Sequence, residues 1–202
     1  MEGILFYWVI WFLWIITTFF LSKTNPIRIK VAIWLLLCII FSTRRIELFH
    51  MQFSYSSIYI LITIYFLASK YSLKKRMYLI ITSLVVMMAY VSILMFELFD
   101  PVLLIIKREW IIPLILTYVV FLLYNETEMR LISLLAGTVH GEVLFSIIVE
   151  KLTAGYTIGS LVYLDVIAIT TTMILGWYGI ERMAAYFNLH FQQLEKEKQK
   201  TP

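Results

Sequence analysis

Three ionisable side chains, His140, Glu142 and Asp165, fall inside long apolar stretches of the sequence. A charged group inside a bilayer costs about 2.5–3.5 kcal/mol on insertion scales, so such side chains normally face the interior of a helix bundle and find partners there. His140 could act as a general acid or base beside a carboxylate, or all three residues could line a proton or ion path. These three residues therefore form the candidate intramembrane polar site.

The spacing of these residues in the sequence does not by itself predict that their side chains meet in one compact site. His140 and Glu142 are two positions apart, about 200° around a helix, so they point at different neighbours unless Gly141 distorts the turn. Gly137 and Gly141 form a small-xxx-small pair, which predicts close packing against another helix. Glu142 lies on a second polar stripe with Thr138. Two polar stripes are typical of a central helix, and the simplest interpretation is that these groups hydrogen-bond between helices without doing chemistry.

Motifs for other chemistry are absent from the sequence. Cys38 is the only cysteine, which excludes an intrachain disulfide and a cysteine-based zinc cluster. The sequence has no Walker-type phosphate loop, no H-E-x-x-H zinc motif and no G-x-S-x-G nucleophile elbow. The stretch from Gly155 to Gly159 is too short for a phosphate-binding loop and predicts a turn. We therefore expect no cofactor and no metal, and a non-enzymatic role is favoured.

The composition indicates a membrane protein. Of the 202 residues, 61% are hydrophobic and 15% are charged, and the mean hydropathy is +0.87. Soluble domains contain about 45–50% apolar and about 25% charged residues. The net charge of +4 comes from basic residues in short loops, which is a topology signal rather than a nucleic-acid-binding face.

The chain contains seven apolar stretches that approach the length of a membrane span. A spanning helix needs roughly 20 apolar residues, because the hydrocarbon core is about 30 Å thick and each residue rises about 1.5 Å. The predicted fold is therefore all-α, a polytopic transmembrane helix bundle in a single domain of residues 1–182. The predicted spans are 3–22, 27–43, 51–69, 77–96, 110–124, 131–149 and 157–180.

Lysine and arginine residues predict the orientation. Twelve of them fall in one set of alternate loops and five in the other, and the richer set belongs in the cytoplasm. The N-terminus is therefore predicted outside, and residues 183–202 form a cytoplasmic tail. The second span, 27–43, has Arg28 and Lys30 near its start, and leaving it out gives an alternative with six spans and both termini on one side.

The segment from Glu97 to Glu109 differs from the other loops. Its apolar part, residues 102–106, is too short to span a bilayer. A short interfacial or re-entrant piece on the outer surface is therefore predicted.

The opening residues Met1 to Trp8, the chain length and the run of seven spans resemble the YphA-like family of small bacterial membrane proteins. The resemblance implies a location in the bacterial cytoplasmic membrane. It assigns no catalytic or binding residue to this chain.

The leading hypothesis is a non-enzymatic multi-pass membrane protein, surrounded by membrane lipids, that acts through helix packing, a membrane-protein partner or a homo-oligomer. One rival is a small transporter or proton-coupled carrier that uses His140, Glu142 and Asp165. The other rival is an intramembrane enzyme that modifies a lipid, with His140 as acid or base.

Overall fold

The computed structural model describes residues 2–48, 51–99, 108–149 and 156–200, and the chain is mostly helical over these ranges, as predicted. The first helix continues as a π-helical segment, Ile16–Phe20. The described residues form seven α-helices, which are α1 Ile4–Ile15, α2 Pro26–Ser42, α3 Tyr55–Ala68, α4 Leu73–Phe99, α5 Arg108–Leu123, α6 Thr127–Val149 and α7 Leu161–Lys200.

Local capping residues fix where two of the helices begin. The side chain of Asn25 accepts a hydrogen bond from the amide of Ile27, and Pro26 occupies the first helical position, where its missing N–H costs nothing. The Ser54 hydroxyl accepts in the same way from the amide of Ser56. Helix α3 therefore begins after Ser54, several residues later than the sequence predicted.

A three-stranded sheet, which the sequence analysis did not predict, lies at one end of the bundle, here termed the sheet end. Strands β1 (Arg45–Leu48) and β2 (Met51–Ser54) are antiparallel. Strand β3 (Thr157–Ile158) pairs with β2 in parallel.

The chain is mostly helical, as predicted, but the sheet is a local departure, because residues 51–54 and 157–158 are strands rather than helix. The physical reason is that the strands contain only four, four and two residues, too few for an alternating pattern to stand out, and β3 pairs with a strand from a distant part of the sequence.

Helix α6 is the central element of the bundle. It contacts α3, α4, α5, α7 and β3, and most of its side chains between Met129 and Val149 are buried. A helix that meets protein on several faces can carry polar groups on several faces, provided that each finds a partner.

Three helical segments are long and apolar enough to cross a membrane, counted over the described residues. The other helices are shorter, and α2 and α5 contain 17 and 16 residues, or about 24–26 Å against a hydrocarbon core of about 30 Å. The number of spans and their orientation remain predictions. The three long segments are Leu73–Phe99, Thr127–Val149 and Leu161–Asn188.

Helix α7 differs most from its predicted bounds. A seventh span over 157–180 followed by a cytoplasmic tail over 183–202 was predicted, and one continuous helix of 40 residues, Leu161–Lys200, covers most of both. At about 1.5 Å per residue it is about 60 Å long, roughly twice the hydrocarbon thickness. The predicted interfacial piece at 102–106 and the Gly155 end of the predicted turn lie outside the described residues.

Candidate functional site

Glu142 lies at the centre of a buried hydrogen-bond network between α6, α4 and the segment before α7. Its side chain is 0% exposed. Oε1 accepts hydrogen bonds from the hydroxyls of Tyr90, at 2.6 Å, and Tyr156, at 2.9 Å. Oε2 accepts from the backbone amide of Gly159 at 2.9 Å. Both carboxylate oxygens are therefore engaged by donors from other parts of the chain.

The sheet end holds two of these three donors in place. Gly159 follows β3 with a φ of +74°, a conformation that favours glycine. A Cβ built on Gly159 would lie 2.5 Å from the Cβ of Ser57, so a side chain does not fit there. Burial raises the pKa of the Tyr156 hydroxyl well above its ordinary value, and the nearby Glu142 carboxylate raises it further. Tyr156 thus remains a protonated donor.

The network continues through aromatic contacts inside the bundle. The rings of Tyr90 and Tyr163 meet edge to face, with their centroids 6.3 Å apart. Their side chains are 0% and 1% exposed. The Tyr163 hydroxyl lies 3.4 Å from the Thr138 hydroxyl on α6. Polar groups of α4, α6 and α7 therefore satisfy one another around Glu142.

The glycines of α6 allow α4 to approach closely. A Cβ built on Gly137 would lie 2.5 Å from the Cβ of Val86 and 2.8 Å from the backbone oxygen of Ser83. A Cβ on Gly141 would lie 2.8 Å from the ring of Tyr90. Any side chain at Gly137 would push against the α4 backbone, so this glycine fixes the distance between the two helices.

Asp165 has a different set of partners. Its two carboxylate oxygens accept hydrogen bonds of 2.7 Å from the backbone amides of Gly3 and Phe6. Gly3 is the N-cap residue of α1, and its φ is +88°. The side chain of Asp165, which is 3% exposed, therefore caps α1 from a distant part of the chain and satisfies two of its unpaired N–H groups.

His140 faces α3 rather than the carboxylates. Its Nδ1 lies 2.7 Å from the carbonyl oxygen of Ala136, and its Nε2 lies 3.1 Å from the hydroxyl of Tyr65. Because a carbonyl oxygen can only accept, Nδ1 carries a proton. In the neutral ring, Nε2 then accepts from the Tyr65 hydroxyl. His140 and Tyr65 both line a cavity of about 410 Å³ between α3, α4 and α6.

The three candidate residues therefore form three separate contacts within the described chain. Glu142 binds donors of α4 and the sheet end, Asp165 caps α1, and His140 contacts α3; no hydrogen bond joins any two of them. Over the described residues, no group of three or more His, Cys, Asp or Glu side chains could hold a metal ion. The two carboxylates act as acceptors that hold chain segments together.

Sequence reasoning missed the tyrosines that complete these contacts. Tyr90 lies four residues after Val86, which meets Gly137, so both residues lie on the α4 face that packs against α6. A tyrosine in the middle of an apolar helix indicates a buried hydrogen-bond partner for its hydroxyl. Tyr65 gives a similar signal on α3. Nothing in the local sequence indicated that Tyr156 would reach Glu142.

Comparisons with known proteins agree with the prediction of a membrane protein. The family model described as YphA-like integral membrane protein matches residues 2–200. The protein YphA of Bacillus subtilis (strain 168), described as uncharacterized, is 29% identical over 186 residues, which cover 92% of each chain. No solved structure matches. The resemblance seen in the sequence is confirmed, and the chain belongs to the YphA-like family of integral membrane proteins.

Proposed function

We propose that the chain is a seven-span, non-enzymatic protein of the bacterial cytoplasmic membrane that binds a protein partner at the inner surface through the projecting end of α7. The N-terminus lies outside and the end of α7 lies in the cytoplasm. The bundle anchors α7 in the membrane. Three features support the proposal. They are the distribution of Lys and Arg between the loops, the hydrogen bonds that occupy the buried carboxylates, and the exposed end of the last helix.

The arrangement of the loops supports the orientation. Asp165 ties the start of α1 to the start of α7, and Glu142 ties α6 to the segment that follows β3. The predicted outer segments therefore meet at one end of the bundle. At the opposite end, the Arg28 side chain donates to the carbonyl oxygen of Thr18, where α1 and its π-helical extension finish. Twelve of the 17 Lys and Arg residues belong to this second end in the predicted topology.

The engagement of both carboxylates supports a non-enzymatic role. A general base must reach the proton that it abstracts in the substrate. The oxygens of Glu142 and Asp165 instead accept five hydrogen bonds from this chain, and both side chains are buried. Among the described residues, the ring of His140 is hydrogen-bonded by Tyr65 and Ala136 and not by a carboxylate. These contacts favour a role in packing over a carrier path or an acid–base pair.

The exposed end of α7 carries the proposal: about 20 residues suffice to cross a membrane, so a span that ends at Ile180, as predicted, leaves the following residues of this 40-residue helix beyond the bilayer. Met183, Tyr186 and Phe187 are 62%, 70% and 54% exposed. Positions three and four apart lie on one face of a helix, so these side chains form one apolar patch, here termed the α7 patch. It follows Trp177, which packs against Phe121 near the end of α5. An apolar helix face of this kind fits the groove of a partner protein.

Thiol labelling tests the topology, since Cys38 is buried and can be replaced. In a Cys38→Ala background, Glu47→Cys is expected to react with a membrane-impermeant maleimide added to intact cells. Thr24→Cys and Ser72→Cys should react only after permeabilisation, because their loops belong to the cytoplasmic set. Reaction of Thr24→Cys and Glu47→Cys from the same side would instead support six spans.

Photo-cross-linking in the native bacterial host tests the partner. A benzophenone amino acid at Phe187 is expected to give one protein adduct of fixed mass. Met183→Glu should abolish this adduct, because a charge within the α7 patch is costly to bury. The same label at Tyr118, which is 64% exposed on α5, serves as the matched control and should give no such adduct. Adducts with lipid alone, or equal adducts at both positions, contradict the proposal.

A further inference from the structure

We propose that the cavity between α3, α4 and α6 binds one anionic phospholipid, with its phosphate at Arg76 and an acyl chain along the cavity. This lateral cavity of about 410 Å³ is termed the α3–α4 groove. Its volume lies within the roughly 300–1,000 Å³ typical of small-molecule sites. The inference goes beyond partner binding and does not depend on the α7 patch.

The polar lining of the groove indicates where a headgroup binds. The hydroxyl of Ser69 donates to the carbonyl of Phe66, and that of Ser83 donates to the carbonyl of Ile80. In the neutral tautomer of His140, the Tyr65 hydroxyl donates to its ring. Arg76 differs, because its Nε is buried without a hydrogen-bond partner among the described residues. A buried donor of this kind calls for an acceptor, and a phosphate oxygen fits a guanidinium well.

The position of Arg76 fits the leaflet where anionic lipids concentrate. Arg76 lies in the first turn of α4, and Lys74 and Lys75 precede it. This loop belongs to the cytoplasmic set in the predicted topology, and the cytoplasmic leaflet carries anionic lipids. Lys75 pairs with Glu126 at 3.7 Å, whereas the described residues include no carboxylate paired with Arg76. The positive charges at the start of α4, at the cytoplasmic end of the α3–α4 groove, therefore complement the negative charge of a phospholipid headgroup.

The remainder of the groove suits a hydrocarbon chain. Leu79, Leu84 and Met87 line it on α4, and Ile64 lines it on α3. Arg76 and Met87 are about 16 Å apart along the helix axis at about 1.5 Å per residue, which is close to half of a hydrocarbon core of about 30 Å. One acyl chain of one leaflet therefore matches the groove in depth.

Native mass spectrometry of the purified full-length protein in detergent tests this site. With added phosphatidylglycerol we expect one retained lipid, and with phosphatidylcholine at the same concentration much less. Arg76→Gln should weaken phosphatidylglycerol binding about tenfold, which corresponds to about 1.4 kcal/mol. Lys74→Gln is the matched control, because it removes an exposed neighbouring charge, and it should change binding little.

The Ser83→Phe variant tests the binding of the acyl chain separately from the binding of the headgroup. The added ring enters the groove and should reduce the binding of both lipids, whereas Arg76→Gln should remove only the preference for phosphatidylglycerol. Soluble glycerol phosphate should not displace the bound lipid. Equal retention of both lipids, equal effects of Arg76→Gln and Lys74→Gln, displacement by glycerol phosphate, or a second copy of the chain in the groove in place of lipid would overturn the proposal.

Discussion

Replacing Glu142 with alanine is expected to lower the free energy of unfolding by about 3–5 kcal/mol, because two buried donors and one part-buried donor lose their acceptor at once. These donors are the hydroxyls of Tyr90 and Tyr156 and the amide of Gly159. The measurement is unfolding of the purified protein in mixed micelles titrated with SDS. Hydrogen exchange at the Gly159 amide should rise in the same variant, since the segment after β3 is released.

Two further variants separate this effect from the loss of a charge. Glu142→Gln keeps an acceptor for the two tyrosines but turns an NH₂ group towards Gly159, so a smaller loss of about 1–2 kcal/mol is expected. Glu126→Ala removes an exposed carboxylate that pairs with Lys75 and should cost less than about 1 kcal/mol. If Glu142→Ala is as stable as Glu126→Ala, the buried carboxylate does not hold the sheet end.

The length of apolar runs predicted the helices because lipid is a uniform apolar solvent and a helix satisfies its own backbone. The start of helix α6 is an example of a feature that the length of an apolar run does not predict. Its membrane span was predicted from residue 131, and the helix itself begins one turn earlier, at Thr127. Arg130 is buried in the first turn, where its guanidinium packs over the ring of Phe121, 3.9 Å from the centroid, and its Nε donates to the carbonyl oxygen of Tyr124. Such packing cannot be read from hydropathy.

The candidate site was predictable residue by residue but not as an arrangement. Burial of His140, Glu142 and Asp165 among apolar residues indicated that each needs a partner, and helix geometry predicted that His140 and Glu142 point apart. Their partners are far away in sequence: Tyr90 for Glu142 and Gly3 for Asp165. Local patterns determine which side chains need partners, whereas tertiary packing determines which partners they find.

Replacing Asp165 with alanine is expected to cost about 2–4 kcal/mol and to release the first turn of α1. Exposed N-caps contribute about 0.5–2 kcal/mol. Asp165 should contribute more, because it is buried and accepts from the amides of both Gly3 and Phe6. Hydrogen exchange resolved by segment measures this effect, and the amides at the start of α1 should exchange faster while the Gly159 amide stays protected.

Asn25→Ala is the matched control, because Asn25 caps α2 in an exposed position. It should cost about 1 kcal/mol or less and leave α1 protected. Glu142→Ala provides the reverse comparison, since it should release the Gly159 amide and leave the start of α1 protected. Equal exchange at the start of α1 in Asp165→Ala and Glu142→Ala would show that the two carboxylates stabilise one cooperative unit. Unequal exchange, with each variant releasing its own segment, is expected because the described structure gives these carboxylates no common partner.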